Sequence, residues 1–173
     1  MVNKINIFPQ FFYEIDCRGK FPYLLEESYK VKSKYKNSTP LLQKDLIYAS
    51  ENNNILNEIP SFFPLKSFIQ SFIFNTYKRK INIFSSWINF SYKYSFQDFH
   101  IHPADLVGVY YIDIPPKSGN LLIHNKSNPL HSLDISLYSE LMIICEGDQP
   151  HSVEQNFNDT PRIALPFNIN FIK

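Results

Sequence analysis

Phe99-His100-Ile101-His102-Pro103-Ala104-Asp105-Leu106-Val107-Gly108-Val109-Tyr110-Tyr111-Ile112-Asp113-Ile114 sets the pattern for the second half of the chain. A short run (99–102) and a longer one (106–114) stand on either side of a proline, and both are rich in β-branched and aromatic residues. That is the composition of strands. Similar segments recur at 81–91, 120–125, 140–145, 151–155 and 162–171. Turn signals separate them: Pro115-Pro116-Lys117-Ser118-Gly119, Asn128-Pro129, the stretch 146–150 and the stretch 156–161. Upstream of residue 80 the period is helical. Leu65, Phe68, Ile69, Phe72, Ile73 and Tyr77 fall on one stripe and predict a helix over 61–80, closed by Lys78-Arg79-Lys80. Residues 22–30 suit a shorter helix. Residues 5–8 and 11–15 read as a strand pair broken at Pro9. Asn37–Pro40 and the Asn52–Asn54 run read as loops, the latter also as a helix start. Many short strands after a helical region predict a mostly β, α+β fold: a sandwich or jelly roll with helices packed outside one sheet.

With 173 residues, 44% of them apolar and including 16 Phe and 11 Tyr, the chain can bury one sizeable core. It is expected to be a single domain over 1–173, with 1–80 as support and 81–173 as the functional core. A charged fraction of 19% and a net charge of +1 argue against disorder and against a generally basic nucleic-acid binder. Four glycines and no phosphate-loop motif exclude the common nucleotide-binding signatures. Two cysteines are too few for a disulfide framework, so a reducing cytoplasm is the expected compartment. No apolar run has the length of a membrane span, and the opening residues do not read as a signal peptide.

Charge and histidine divide the chain at the same place. Residues 1–80 carry 12 Lys and Arg against 7 Asp and Glu; residues 81–173 carry 5 against 9. All five histidines, His100, His102, His124, His131 and His151, lie in the second part. On a strand, i and i+2 share a face, so His100 and His102 can offer two adjacent corners of a metal site. Taken alone, the pair reads as an ordinary surface or core pair. His151 follows a turn, and Arg162 opens the last strand; Arg162 can hold a carboxylate through two parallel hydrogen bonds. If Arg162 faces a pocket, so do Ala164 and Pro166, while Ile163, Leu165, Phe167 and Ile169 face the helix of 61–80.

Five stretches together, Trp87-Ile88-Asn89, His100-Ile101-His102-Pro103, Gly108-Val109-Tyr110-Tyr111-Ile112, Pro150-His151-Ser152-Val153 and 162–169, resemble the 2-oxoglutarate/Fe(II) oxygenases of bacteria and their phages. The resemblance covers about residues 85–171. It implies a double-stranded β-helix, the jelly-roll or cupin-like fold. It implies that His100, His102 and His151 hold Fe(II), and that 2-oxoglutarate binds the iron and pairs its far carboxylate with Arg162. Tyr111, or Tyr110, would add a hydroxyl, and Asn89 would contact co-substrate or substrate. Molecular oxygen would take the remaining position, with release of succinate and CO2 and hydroxylation of a further substrate.

Two positions depart from the pattern. His102 stands where the commonest iron triad has a carboxylate, and Asp105 is the alternative third ligand. Ala164 stands where a Ser often follows the Arg. A three-histidine metal dioxygenase that needs no 2-oxoglutarate, and a non-catalytic metal-binding module, are therefore the rival readings. His124, His131 and Trp87 are expected to be ordinary polar or core residues, and Cys145 a small buried hydrophobe. The Lys30–Lys36 run is expected to be a solvated face or loop. The partner is a small or macromolecular substrate, with no membrane and no nucleic acid; exposed strand edges allow a homodimer.

Overall fold

A computed structural model describes residues 1–7, 10–40 and 43–172. Among the described residues, twelve strands form two sheets. In the first, β1 (Val2–Ile7), β2 (Gln10–Asp16), β10 (Leu141–Glu146), β7 (Leu106–Asp113), β12 (Arg162–Phe171), β5 (Asn89–Ser91) and β3 (Ile47–Ala49) lie side by side, and β4 (Ile81–Ser86) also pairs with β12. In the second, the order is β6 (Gln97–His100), β11 (His151–Val153), β8 (Leu121–His124) and β9 (Ser132–Ile135). From β5 to β12 the chain passes back and forth between the sheets, and every pairing is antiparallel. This is the expected double-stranded β-helix.

The first sheet is buried on both faces, which explains its nearly continuous apolar runs. One face packs on helices α1 (Leu24–Lys34), α2 (Ile55–Glu58) and α3 (Phe63–Tyr77). Leu65, Ile69 and Ile73, one helical turn apart on α3, are fully buried in the same cluster as Ile163, Leu165, Phe167 and Ile169 of β12. The other face meets the second sheet through Val107, Tyr111, Leu121, Ile123, Ile143, Cys145, Val153 and Ala164. The alternation expected of β12 therefore holds on both sides.

The structure adds what the sequence pattern did not show. Residues 81–91 form two strands, β4 and β5, split at Trp87-Ile88. Strands β3 and β9 and the one-turn helix α2 are too short for a periodic signal. The Lys30–Lys36 run is the solvated face and not the loop of the two expected forms: α1 continues to Lys34, with Glu26 and Glu27 in its first turn and Lys32 and Lys34 in its last, the arrangement favoured by the helix dipole. Pro166 sits in the centre of the sheet. It lies in the gap where the partner of β12 changes from β5 to β4. On that side its carbonyl accepts the Trp87 N–H at 3.2 Å, so no ladder bond is lost. Pro9 lies outside the described residues. No helix among those described is long and apolar enough to cross a membrane.

The close approach of β7 to β12 depends on Gly108. A Cβ there would stand 2.2 Å from the Phe167 ring. Gly108→Ala is expected to lower unfolding free energy by about 1–3 kcal/mol through overpacking, measured by urea denaturation. Adding Phe167→Leu should recover part of that loss, because the two positions share one space.

Candidate metal centre and its pocket

Residues of both sheets line one pocket between them. His100 ends β6 and His151 begins β11, and the two are direct cross-strand partners with ring centroids 4.3 Å apart. His102 lies two residues beyond the end of β6, so strand parity does not place it; the turn between β10 and β11 does. The His102 N–H donates to the Gly147 carbonyl at 2.8 Å, and the Gly147 N–H donates to the Asp105 carbonyl at 3.2 Å. A Cβ at Gly147 would stand 2.0 Å from the Ala104 oxygen, so only glycine allows this contact. Potential ligand atoms of His100, His102 and His151 all lie within 4.8 Å of one another.

The donor chemistry fits a metal ion. His100 Nδ1 lies 2.6 Å from the Asp98 carbonyl and His151 Nδ1 lies 2.8 Å from the Gln149 carbonyl. A carbonyl only accepts, so each Nδ1 carries the proton and each Nε2 keeps its lone pair. Asn168, on the pocket face of β12, donates from Nδ2 to Ser85 Oγ at 2.8 Å. Its Oδ1 is buried without a settled partner and is near enough to favour an N–H on His102. Burial, reinforced by His100, holds His151 down at about 4 and His102 below the ordinary imidazole range. Both are neutral at pH 7, as metal binding requires.

Asp105 is not a member of the cluster. Its carboxylate accepts the Phe171 N–H at 2.7 Å, tying the loop after His102 to the end of β12. His124 also lies apart: its ring stands 5.1 Å from Phe99 and its Nε2 2.8 Å from Ser152 Oγ. His131 is exposed.

Arg162 lines the same pocket, opposite Ser91 in the ladder. It is only 3% exposed. Its guanidinium donates to the Ser118 carbonyl and, at 3.4 Å, to the Glu154 carbonyl. Among the described residues it has no carboxylate partner. A buried cation without a counter-charge is costly, and an anion from solution removes that cost. Tyr111 lies in the inter-sheet layer beside it; burial pushes its phenol up, so the hydroxyl stays a donor. Tyr110 points the other way, into the helix-side core. Asn89 lines the pocket with a buried, unpartnered Oδ1. Cys145 is buried, with its thiol pushed up to about 12, and is inert as expected.

Trp87, expected in the core, instead lines the pocket together with Ser91 and Gln97. Asn168 and Gly147 were also missed. Asn168 was available from the parity of Arg162, Ala164 and Pro166; Gly147 carried no signal beyond its turn.

No protein-family model matches the chain, and no curated protein matches it in sequence. Solved structures do match it in shape. A prolyl-4-hydroxylase from Pseudomonas putida superposes with a TM-score of 0.68 at 9% identity, over 92% of each chain. The α-ketoglutarate-dependent epimerase SnoN of nogalamycin biosynthesis gives a TM-score of 0.75 at 11% identity, over 91% of this chain and 76% of that one. HygX from Streptomyces hygroscopicus, solved with nickel, 2-oxoglutarate and hygromycin B, gives 0.69 at 11% identity, over 92% and 82%. The fold is that of the 2-oxoglutarate/Fe(II) oxygenases. At these identities the likeness describes the chain path and not the chemistry.

Two predictions follow from the geometry. Gly147→Ala should push the loop carrying His102 away and weaken divalent metal binding by about 10–100-fold, read by calorimetric titration with Ni(II). The metal-free protein should lose stability as pH falls from about 6.5 toward 4. In that window an unfolded imidazole takes up a proton that buried His151 refuses, at up to about 1.4 kcal/mol per pH unit. Thermal melts across the window measure this, and His151→Gln should flatten the slope.

Proposed function

We propose that the protein is a 2-oxoglutarate- and Fe(II)-dependent dioxygenase that hydroxylates a further substrate. The observation that carries this reading is the buried Arg162, which has no carboxylate partner among the described residues and lies in the pocket that three histidines also line. One side of the pocket fits a metal ion and the other an acid, as a chelating keto acid with a distal carboxylate requires. The shared fold with oxygenases, and the 2-oxoglutarate found in HygX, support it.

His100, His102 and His151 would hold the ion as neutral ligands. When bound, iron with 2-oxoglutarate and molecular oxygen supplies oxidative decarboxylation, giving succinate and CO2 and an oxidant for C–H bonds. Arg162 would pair with the distal carboxylate by charge-assisted hydrogen bonds. Tyr111 can donate its phenolic proton to the same group, replacing the hydroxyl that Ala164 lacks. The unpartnered Asn89 Oδ1 can accept a hydrogen bond from substrate or from a bound water. Val107, Ile123, Ile143 and Val153 keep the space between these groups dry, which strengthens each polar contact.

The presence of three imidazoles and no carboxylate favours one rival, a three-histidine dioxygenase in which Arg162 binds the substrate's own acid. Anaerobic titration with Fe(II) and then 2-oxoglutarate separates the two. A weak visible charge-transfer band that needs both is expected here; iron binding with no such band would favour the rival. Arg162→Ala should keep iron and weaken 2-oxoglutarate by about 10-fold or more, whereas His151→Ala should lose iron. Full iron affinity in His151→Ala would overturn the triad.

A further inference from the structure

The pocket has more positive charge to neutralise than 2-oxoglutarate can supply. Among the described residues lining it there is no Asp and no Glu. The nearby carboxylates turn elsewhere. Asp98 opens onto a separate outward groove of the second sheet, Asp105 takes the Phe171 N–H, and Glu154 takes the Asn120 N–H at 3.1 Å. Tyr111 and Cys145 cannot supply the charge, because burial keeps both protonated.

A divalent ion on three neutral imidazoles keeps both of its positive charges, and Arg162 adds a third. The common two-histidine, one-carboxylate set cancels one of these within the protein; here His102 does not. Dianionic 2-oxoglutarate cancels two, and one is left in a pocket walled largely by apolar side chains. Such a residue of charge is unfavourable in a low-dielectric space and attracts a counter-ion.

We propose that the pocket binds one further monovalent anionic group beside the metal and 2-oxoglutarate, so that the substrate to be oxidised is an anion, such as a carboxylic acid or a phosphate monoanion. This rests on the 2-oxoglutarate reading and adds the substrate's charge class to it. The third negative charge takes the place of the carboxylate that the sequence omits at His102. Gln97, at the end of β6 away from His100 and on the pocket wall, is a polar position from which this charge can be tuned without touching a ligand.

The test uses the protein loaded anaerobically with Fe(II) and 2-oxoglutarate, with sodium azide as the smallest monovalent anion. At constant ionic strength, azide is expected to shift the keto-acid charge-transfer band saturably in the unaltered protein. Gln97→Glu adds one negative charge on the pocket wall and should weaken azide by about ten-fold or more while the band itself persists. A band with no response to azide, or an azide affinity equal in the unaltered protein and Gln97→Glu, would overturn the anion inference and leave the 2-oxoglutarate reading standing. Absence of the band in the unaltered protein would overturn both.

Discussion

The alternation of side chains along β12 is the constraint on which the rest of the molecule depends. This strand lies in the middle of the larger sheet, between β7 on one side and β5 and β4 on the other. Its odd-numbered residues from Ile163 to Ile169 seal the sheet against α3. Of its even-numbered residues, Arg162, Ala164 and Pro166 build one wall of the pocket. A one-residue slip would put Arg162 among the helices and Ile163 into the pocket. The apolar helix face therefore sets the register that also aims the arginine. Stability and site geometry come from one alternation, and Pro166 fits it because its missing N–H falls where β5 gives way to β4.

The second constraint is electrostatic. The site collects basic groups and, among the described residues that line it, no acid. Burial, with His100 alongside, keeps His102 and His151 neutral, and carbonyls two residues upstream orient His100 and His151. The guanidinium is buried with only carbonyls to bond. Metal-free, this is an arrangement that costs the fold something, and the cost falls at the pocket. Conflicts of this kind, in which local rules are broken without compensation inside the chain, are expected where a ligand completes the structure. Arg162 is the clearest case: a residue that packing alone would not select for a position 3% exposed.

Much of this was legible in residue patterns, and the limits are physical. The long helix showed itself through the spacing from Leu65 to Tyr77, and β12 through strict alternation over ten residues. Both signals need length, which is why β3, β9 and α2 gave none. His100 and His151 could be named from their types but not their distance, because their pairing is a contact between strands 51 positions apart in sequence. His102 was placed for an incomplete reason. The strand ends before it, and Gly147 holds it through a backbone contact that side-chain types do not encode. Trp87 was misplaced because an aromatic residue beside a strand reads as core whichever sheet face it takes. The choice between His102 and Asp105 turned on a hydrogen bond to Phe171, which only the folded loop reveals.

The central claim is that one pocket holds a metal ion on three histidines and an acid on Arg162. Crystals grown anaerobically with Fe(II) and 2-oxoglutarate, with diffraction recorded at the iron edge, test it most directly. One anomalous peak within bonding distance of His100, His102 and His151 is expected, with a keto acid spanning from that ion to the Arg162 guanidinium. Iron bound elsewhere, or Arg162 turned to a protein carboxylate with no acid in the pocket, would contradict it.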